Sequence, residues 1–166
     1  MKYCLAIDMG ASSGRHILGY IENDKLKLEE IYRFENGIVD IDGTLCWDID
    51  KLFTEIKNGL KECHKKGIHP ETVAIDTWGV DYSFIDKNGA LMANPYHYRD
   101  ARTDGIQPYA FKTVPFEDIY SVTGIQTMNF NTLYQLCADL RDRKYIVDNA
   151  DKLLFVPDLL NYFLTG

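Results

Sequence analysis

The sequence has few basic residues, and they are spread along the chain. Of its 166 residues, 18 are Lys or Arg and 25 are Asp or Glu, which gives a net charge of −7 at pH 7. A surface that binds nucleic acid needs clustered Lys and Arg side chains. The basic stretch at residues 141–144 is interrupted by Asp142, and we interpret it as the solvated end of a helix. We therefore expect no nucleic-acid partner.

Cysteines are also few, and long apolar runs are absent. The four cysteines form no C-x-x-C pair; they are Cys4, Cys46, Cys63 and Cys137. Because disulfide frameworks and zinc sites usually show tighter spacing, we interpret them as reduced, mostly packing residues. The first apolar stretch, residues 3–7, is too short for a signal peptide, and no run approaches the length of a membrane helix. We expect a cytoplasmic protein with no membrane contact.

A turn rich in glycine and serine lies between two strand-like segments, residues 3–7 and 15–21. Its backbone N–H groups and two hydroxyls share a small space, which suits phosphate oxygens. Asp8 suits Mg²⁺, because this cation prefers carboxylate and water oxygens. No Gly-Lys-Ser/Thr follows, and the next element reads as a strand, so the turn is neither a P-loop nor a dinucleotide-binding motif. A nucleotide-dependent phosphotransferase is the first hypothesis, and an ordinary hairpin turn is the alternative.

Hydrophobic periodicity predicts a mixed α/β domain. Residues 3–7, 15–21 and 26–34 are typical of an antiparallel meander, with a bulge at Glu29 and Glu30. Asp48 is a predicted N-cap for a helix over residues 49–66 that Gly67 ends. The remaining predicted elements are a hairpin within 38–47, strands at 72–76, 81–85 and 153–156, and helices at 103–111, 116–121, 132–140 (capped by Asn131) and 158–164 (with Pro157 in its first turn).

Four stretches carry a resemblance to a known family. They are residues 8–15 (DMGASSGR), 75–81 (IDTWGVD), 98–103 (YRDART), and 124–126 with 130–136 (GIQ and FNTLYQL). With their spacing, they make the chain resemble the N-terminal part of the rhamnulokinases, in the FGGY family of carbohydrate kinases. The resemblance implies an α/β, ribonuclease H-like domain of the actin and hexokinase type, truncated, whose mixed sheet opens with a three-stranded antiparallel meander.

The resemblance also implies an activity. Members of this family transfer the γ-phosphoryl group of ATP to L-rhamnulose between two α/β domains that close over a cleft. Residues 1–166 then form an incomplete sugar-binding domain, and the nucleotide-binding domain and the general-base Asp are expected beyond residue 166. Two alternatives stay open: a non-catalytic, actin-like nucleotide- or sugar-binding module, and an FGGY kinase for another ketose or polyol. We expect the chain alone to be inactive and prone to self-association.

The cofactors implied are ATP and Mg²⁺. By resemblance, a phosphate loop meets ATP; its residues are Ala11, Ser12, Ser13, Gly14 and Arg15. Small residues let the backbone approach the phosphates, and Arg15 offsets their charge. Asp8 is expected to orient hydrated Mg²⁺. The structural alternatives are a solvent-facing strand residue for Arg15 and a carboxylate accepting turn N–H groups for Asp8.

The sugar contacts implied lie further along the chain. Gly79 suggests close approach of a ligand or an unusual backbone angle, and Trp78 is either a pocket wall or a core residue. Asp76 and Asp81 either accept sugar hydroxyls or cap local N–H groups. Arg99 either borders the sugar or belongs to a surface ion-pair set.

Overall fold

The computed structural model of the protein describes residues 2–166. Two compact units are found: residues 2–39, 47–79 and 156–166 form unit 1, and residues 40–46 and 80–155 form unit 2. The strands are β1 (Tyr3–Met9), β2 (Ser13–Glu22), β3 (Lys25–Glu35), β4 (Ile38–Ile41), β5 (Thr44–Trp47), β6 (Thr72–Asp76), β7 (Tyr82–Ile85) and β8 (Lys152–Phe155). The helices are α1 (Ile49–Lys65), α2 (Gln107–Phe111), α3 (Phe116–Thr123), α4 (Thr132–Asp142), α5 (Lys144–Asn149) and α6 (Val156–Thr165). Within residues 2–166, no helix has the length and apolarity that crossing a membrane requires.

Unit 1 is built on a four-stranded mixed sheet in the order β3-β2-β1-β6. Strands β1, β2 and β3 pair antiparallel, whereas β6 pairs parallel with β1. The predicted meander and mixed sheet are therefore confirmed. The β2–β3 register shifts after His16 and leaves Ile31 as the extra residue on β3. The predicted bulge thus exists, one residue beyond Glu30.

Helix α1 confirms the predicted signals at both of its ends. Oδ1 of Asp48 accepts the N–H of Lys51 at 2.9 Å, which satisfies one of the free donors of the first turn. Past the last turn, Gly67 has a φ of 70°, and the N–H of Ile68 donates to the Cys63 carbonyl at 2.9 Å. This is a Schellman end, in which a left-handed glycine lets later N–H groups reach the last carbonyls of the helix.

A histidine lies in the core of unit 1. The ring of His16 is fully buried against Gly59 of α1, where a Cβ atom would overlap it. Tyr32 and Phe34 of β3 flank the ring, with centroids 5.6 and 6.2 Å away. Neither ring nitrogen has a hydrogen-bond partner among residues 2–166, and burial lowers the pKa of His16. The imidazole is therefore neutral in the folded chain at pH 7.

The last helix completes unit 1. As predicted, Pro157 lies in the first turn of α6, where its missing N–H costs nothing. Leu159 and Leu160 are fully buried, and Phe163 packs edge-to-face on Phe53 of α1 at 5.5 Å between centroids. The predicted start of this helix, at residue 158, lies two residues late.

Unit 2 combines short strands with four helices. Strands β7 and β8 pair antiparallel, with Tyr82 opposite Phe155. The hairpin of β4 and β5 turns at Asp42 and Gly43, whose positive φ angles of 52° and 81° are those of a tight hairpin turn. The hairpin and the presence of both strands confirm predictions, whereas the pairing of β7 with β8 was not predicted. A small apolar core joins α2 to α4; it consists of Ile106, Ala110, Tyr134 and Ala138.

The predicted single helix over residues 103–111 is wrong. The chain forms a 3₁₀ turn at Ala101–Thr103 and a separate short helix α2. Gly105 between them has a φ of 66°, a left-handed conformation that interrupts a helix. Pro108 in the first turn of α2 then suits a new start.

The interpretation of residues 141–144 as a solvated helix end is wrong for Arg143. Its side chain is 14% exposed and its Nε donates to Asp139 at 2.7 Å. Helix α5, which the periodicity did not predict, follows at once. Asn131 precedes α4 as predicted, yet its amide donates to the Gln126 carbonyl instead of capping the helix.

The cysteines are free thiols. Cys46 and Cys63 are buried and Cys137 is half-buried, which confirms the packing interpretation for three of the four. Burial raises the pKa of all three thiols. Cys4, on β1, is exposed.

Candidate functional site

Two of the carboxylates predicted for the site lie side by side in unit 1. Asp8 in β1 and Asp76 at the end of β6 are register partners on adjacent parallel strands. The carboxyl ends of parallel neighbours meet at one edge of a sheet, and this edge is where open α/β sheets bind ligands. The structure therefore brings the two carboxylates to one edge of the sheet, which the sequence analysis did not predict.

The turn after β1 is shorter than predicted, because β1 continues past Asp8 and β2 already begins at Ser13. Gly10 donates its N–H to the Ser13 carbonyl at 2.8 Å and so closes the turn. The N–H groups of Ala11 and Ser12 donate to no group among residues 2–166, and both residues are exposed. Two backbone donors are thus open at the tip of the turn.

Asn36 holds this turn in place, and sequence reasoning missed it. Its Nδ2 donates to the Gly10 carbonyl at 2.9 Å, and its own N–H donates to the Ser12 carbonyl at 3.0 Å. Both carbonyls therefore face Asn36, which fixes the shape of the turn. The local signal for it in the sequence is the dipeptide formed by Asn36 and Gly37, which is typical of a turn.

Gly14 has a different reason to be glycine than the one predicted. It is buried within β2, opposite Phe34 of β3, and a Cβ atom would overlap the Phe34 ring. Its backbone conformation is not left-handed. Packing against an aromatic ring on the neighbouring strand is by itself a reason for the absence of a side chain, and the phosphate contact of Gly14 stays a prediction.

Arg15 and Asp8 form an ion pair on the surface of the sheet. The two are register partners on β2 and β1, and Nη2 and Nε of Arg15 lie 2.8 and 3.0 Å from Oδ2 of Asp8. Each side chain is 45% exposed. Arg15 is an exposed strand residue, as in its structural alternative, although it is paired. Asp8 accepts from a guanidinium, whereas its alternative had it accept N–H groups of the turn.

Trp78 belongs to an aromatic pair in unit 1. Its ring lies 3.8 Å from that of Trp47, between centroids, and Trp47 is fully buried. Trp78 itself is half-buried. Thr77 donates its hydroxyl to the Trp78 carbonyl at 3.0 Å. One face of Trp78 is therefore packed, as in the core alternative, while part of its surface stays open.

The unusual backbone angle lies at Val80, not at Gly79. Gly79 is exposed, has no left-handed φ, and has open space where a Cβ atom would stand. Val80 has a φ of 69°, a rare conformation for a β-branched residue. Such angles persist where surrounding contacts hold them, and they cluster at ligand sites.

Asp81 and Arg99, in unit 2, behave differently from each other. Asp81 is 1% exposed and accepts the N–H of Tyr98 at 3.2 Å and Nε2 of Gln135 at 2.8 Å. Its carboxylate thus accepts from internal donors that are 17 and 54 residues away, not from the local N–H groups of the capping alternative. Arg99 is exposed over the Tyr98 ring. Burial, and then the charge of Arg99, lower the pKa of His97 to about 4.

A buried charge network in unit 2 was not predicted. Asp139, 1% exposed, accepts Nη1 of Arg102 at 2.9 Å, Nε of Arg143 at 2.7 Å and the hydroxyl of Tyr82 at 2.5 Å. Both guanidinium groups also lie over the Tyr96 ring, at 4.1 and 3.9 Å from its centroid. Burial, followed by the nearby Asp139 carboxylate, raises the pKa of Tyr82.

A cavity of about 250 Å³ opens beside Val80 within unit 2. Its walls are mostly apolar, and Thr127 and Thr132 contribute hydroxyl groups. Its apolar lining includes Val80, Ile119, Ile125 and Leu133.

Known proteins resemble this chain over nearly its whole length. The sequence model of the FGGY family of carbohydrate kinases, N-terminal domain, matches residues 3–166. The chain is 44% identical over its whole length to the rhamnulokinase of Oceanobacillus iheyensis and 45% identical to that of Halalkalibacterium halodurans. It spans 36% and 35% of these two relatives, or about a third of their length.

Solved structures show the same fold at low sequence identity. A xylulose kinase from Rhodospirillum rubrum matches 98% of this chain with a TM-score of 0.80 at 14% identity, over 34% of its own length. A glycerol kinase from Plasmodium falciparum, solved with ADP, matches 99% of the chain with a TM-score of 0.77 at 16% identity, again over 34% of its length. These likenesses confirm the predicted ribonuclease H-like fold, and the match over residues 3–166 settles the membership: the chain belongs to the FGGY family of carbohydrate kinases.

Proposed function

We propose that this chain is the sugar-binding, N-terminal part of an ATP-dependent kinase that converts L-rhamnulose to L-rhamnulose 1-phosphate. The observation that carries the proposal is the identity of 42–45% with rhamnulokinases over 97–100% of the chain. The matched region covers the sugar-loop stretch at residues 75–81 as well as the phosphate turn. This identity favours L-rhamnulose over the xylulose, gluconate and glycerol of the structural neighbours.

The turn of unit 1 supports a role in holding ATP phosphates. The open N–H groups of Ala11 and Ser12 and the hydroxyl of Ser12 are donors of the kind that bind phosphate oxygens. Ser13 and Gly14 anchor the turn to β2, and Arg15 supplies positive charge. Phosphoryl transfer depends on positioning and charge stabilisation more than on covalent chemistry, so such a turn contributes directly to rate.

The edge formed by Asp8 and Asp76 fits Mg²⁺. No group of three or more metal-ligating side chains is found among residues 2–166, whereas these two carboxylates are register partners. Mg²⁺ usually keeps several waters and binds through one or two carboxylates plus substrate phosphates. When bound, the ion supplies charge neutralisation at the transferring phosphoryl group. Asp8 and Asp76 would hold such an ion, and Arg15, which pairs with Asp8, provides positive charge beside it.

Sugar contacts are proposed for the segment after β6. Gly79 is exposed and has free space around its Cα, so its backbone is accessible to a ligand. Trp78 is half-buried and so has part of its surface exposed, and Asp76 is exposed. In unit 2, Arg99 is accessible, whereas Asp81 acts through the groups that it holds, Tyr98 and Gln135. The general base and the adenine site are assigned to the two thirds of such an enzyme that this chain does not span.

A hybrid kinase tests the proposal. In it, this chain replaces the matching N-terminal third of the Oceanobacillus iheyensis rhamnulokinase, to which it is 44% identical. We expect ADP release that requires both ATP and L-rhamnulose, with much lower kcat/KM for D-xylulose, D-gluconate and glycerol. A hybrid that unfolds cooperatively yet prefers one of those three substrates contradicts the proposed function. So does a folded hybrid that phosphorylates neither L-rhamnulose nor any of the three.

A further inference from the structure

The cavity beside Val80 has the composition of a site for an apolar group. Four aliphatic side chains line it, from the segment after β6, from α3, from the loop that follows and from α4; they are Val80, Ile119, Ile125 and Leu133. Ile125 is 60% exposed and Leu133 is 44% exposed, so apolar surface faces solvent at this cavity. Polar groups also reach the wall, from Thr123, Thr127, Asn131, Thr132 and Tyr134. At about 250 Å³, the cavity accommodates part or all of a small sugar.

The backbone at this cavity is held in a strained conformation by side chains of α4. The Val80 carbonyl accepts Oγ1 of Thr132 at 2.9 Å and Nε2 of Gln135 at 3.3 Å. Gln135 is 2% exposed, and its own carbonyl oxygen accepts Nη2 of Arg102 at 2.7 Å. These contacts fix the left-handed φ of Val80. Strain that is kept by dedicated hydrogen bonds is typical of positions that meet ligands.

Val80 directly follows Gly79, the residue proposed to meet the sugar through its backbone. L-Rhamnulose is a 6-deoxy ketose, so one end of the molecule is a methyl group, whereas L-fructose carries a hydroxymethyl group at the same position. A methyl group gains free energy on leaving water for an apolar cavity, and a hydroxymethyl group loses water contacts there. We propose that the cavity lined by Val80, Ile119, Ile125 and Leu133 binds the C6 methyl group and selects 6-deoxy ketoses. This inference rests on the proposed function.

The test measures the ratio of kcat/KM for L-rhamnulose to that for L-fructose in the hybrid kinase. An apolar pocket discriminates between groups that differ by one hydroxyl by roughly 10- to 200-fold, so we expect a ratio of at least about 10. Val80→Thr keeps the β-branched shape and adds a hydroxyl to the wall. Ile125→Thr replaces an ethyl branch by a hydroxyl, at an exposed position that tolerates substitution. Each is expected to lower the ratio about fivefold or more, mainly by raising KM for L-rhamnulose. Val114→Thr, at a residue 44% exposed and outside the cavity lining, is the matched control and is expected to leave the ratio unchanged.

The outcomes separate this inference from the proposed function. A hybrid that phosphorylates L-rhamnulose while both cavity variants keep the wild-type ratio overturns the methyl-group assignment and leaves the kinase assignment intact. A cooperatively folded hybrid without activity on either ketose overturns both. In a second measurement, the methyl groups of the isotopically labelled 166-residue chain are followed by NMR during titration with L-rhamnulose. Shifts at the four lining residues support the assignment; shifts only at methyl groups elsewhere contradict it.

Discussion

Unit 1 and unit 2 bury their polar groups in opposite ways. Unit 1 places His16 in its core as a neutral ring without hydrogen bonds, packed between a helix glycine and two aromatic rings. Unit 2 buries charged groups and pairs them, with Asp139 shared between Arg102 and Arg143, and only Nε of Arg102 lacks a hydrogen-bond partner in this network of the described residues. The first arrangement depends on shape and the second on charge balance. The two units are therefore expected to fail under different substitutions.

The largest effect is expected at the centre of the network in unit 2. Asp139→Leu leaves two guanidinium groups at 11% and 14% exposure without their carboxylate, and the Tyr82 hydroxyl without its acceptor. Breaking a buried pair in this way typically costs about 3–5 kcal/mol of unfolding free energy. Urea denaturation measures the loss. The matched control is Asp142→Ala, whose exposed pair with Arg141 is worth less than about 1 kcal/mol; equal losses in the two variants would show that the network contributes no special stability.

The next effect tests packing in unit 1. Gly14→Ala forces a methyl group into the Phe34 ring, and overpacking of this kind costs about 1–3 kcal/mol. Gly79→Ala places the same methyl group in open space at a φ that is not left-handed, so a change within about 0.5 kcal/mol is expected. Phe34→Leu combined with Gly14→Ala should recover part of the loss. If Gly79→Ala proves the more damaging of the two, the packing explanation for Gly14 is wrong.

How far the sequence predicts each unit depends on the range of the signals. Helix α1 follows from Asp48 and Gly67, which act within one turn, and β6 from a short apolar run ending in a carboxylate. The network of unit 2 joins Arg102 to Asp139 and Tyr82 to Asp139, residues 37 and 57 positions apart. No local pattern predicts such pairs, because each charged residue alone is also typical of a solvated surface.

The candidate site shows the same limit. Resemblance predicted the phosphate turn and the Trp78 segment, and both stay predictions. That Asp8 and Asp76 are register partners on adjacent strands is known only from the structure. The structure adds physical reasons for two positions that the sequence did not show. Gly14 avoids an aromatic ring, and the left-handed angle belongs to Val80 because side chains of α4 hold its carbonyl. These contacts join different elements, so the conformational preference of a single residue does not reveal them. That preference placed the unusual backbone angle at Gly79, next to Val80.

A smaller effect concerns pH and distinguishes the two units again. Burial lowers the pKa of His16 in unit 1, and burial together with Arg99 lowers that of His97 in unit 2 to about 4. A histidine whose pKa is lower in the folded chain than its unfolded value of about 6.5 stabilises the fold above that pH, and the stabilisation falls as the pH drops toward the folded pKa. Between pH 7.5 and 5.5, His97 should account for a loss of about 1 kcal/mol. NMR of labelled imidazoles should show the His97 ring still neutral at pH 5.5 and the pKa of His16 below 6.5. A ring of either residue that protonates at pH 6.5 or above would refute its part of the prediction.

The smallest effect on stability is expected at the phosphate turn, where the consequence for binding is nonetheless specific. Arg15→Ala removes an ion pair whose partners are each 45% exposed, so the unfolding free energy should change by less than about 1 kcal/mol. Arg33→Ala on the neighbouring strand removes the similarly exposed pair with Glu30 and serves as the control. In the hybrid kinase, only Arg15→Ala is expected to lower kcat/KM for ATP, by about tenfold or more, because a charge-assisted hydrogen bond to phosphate is worth roughly 1.5–3 kcal/mol. Steady-state kinetics at saturating L-rhamnulose decide the matter: equal, small effects of the two variants on ATP would mean that Arg15 serves the sheet surface and not the nucleotide.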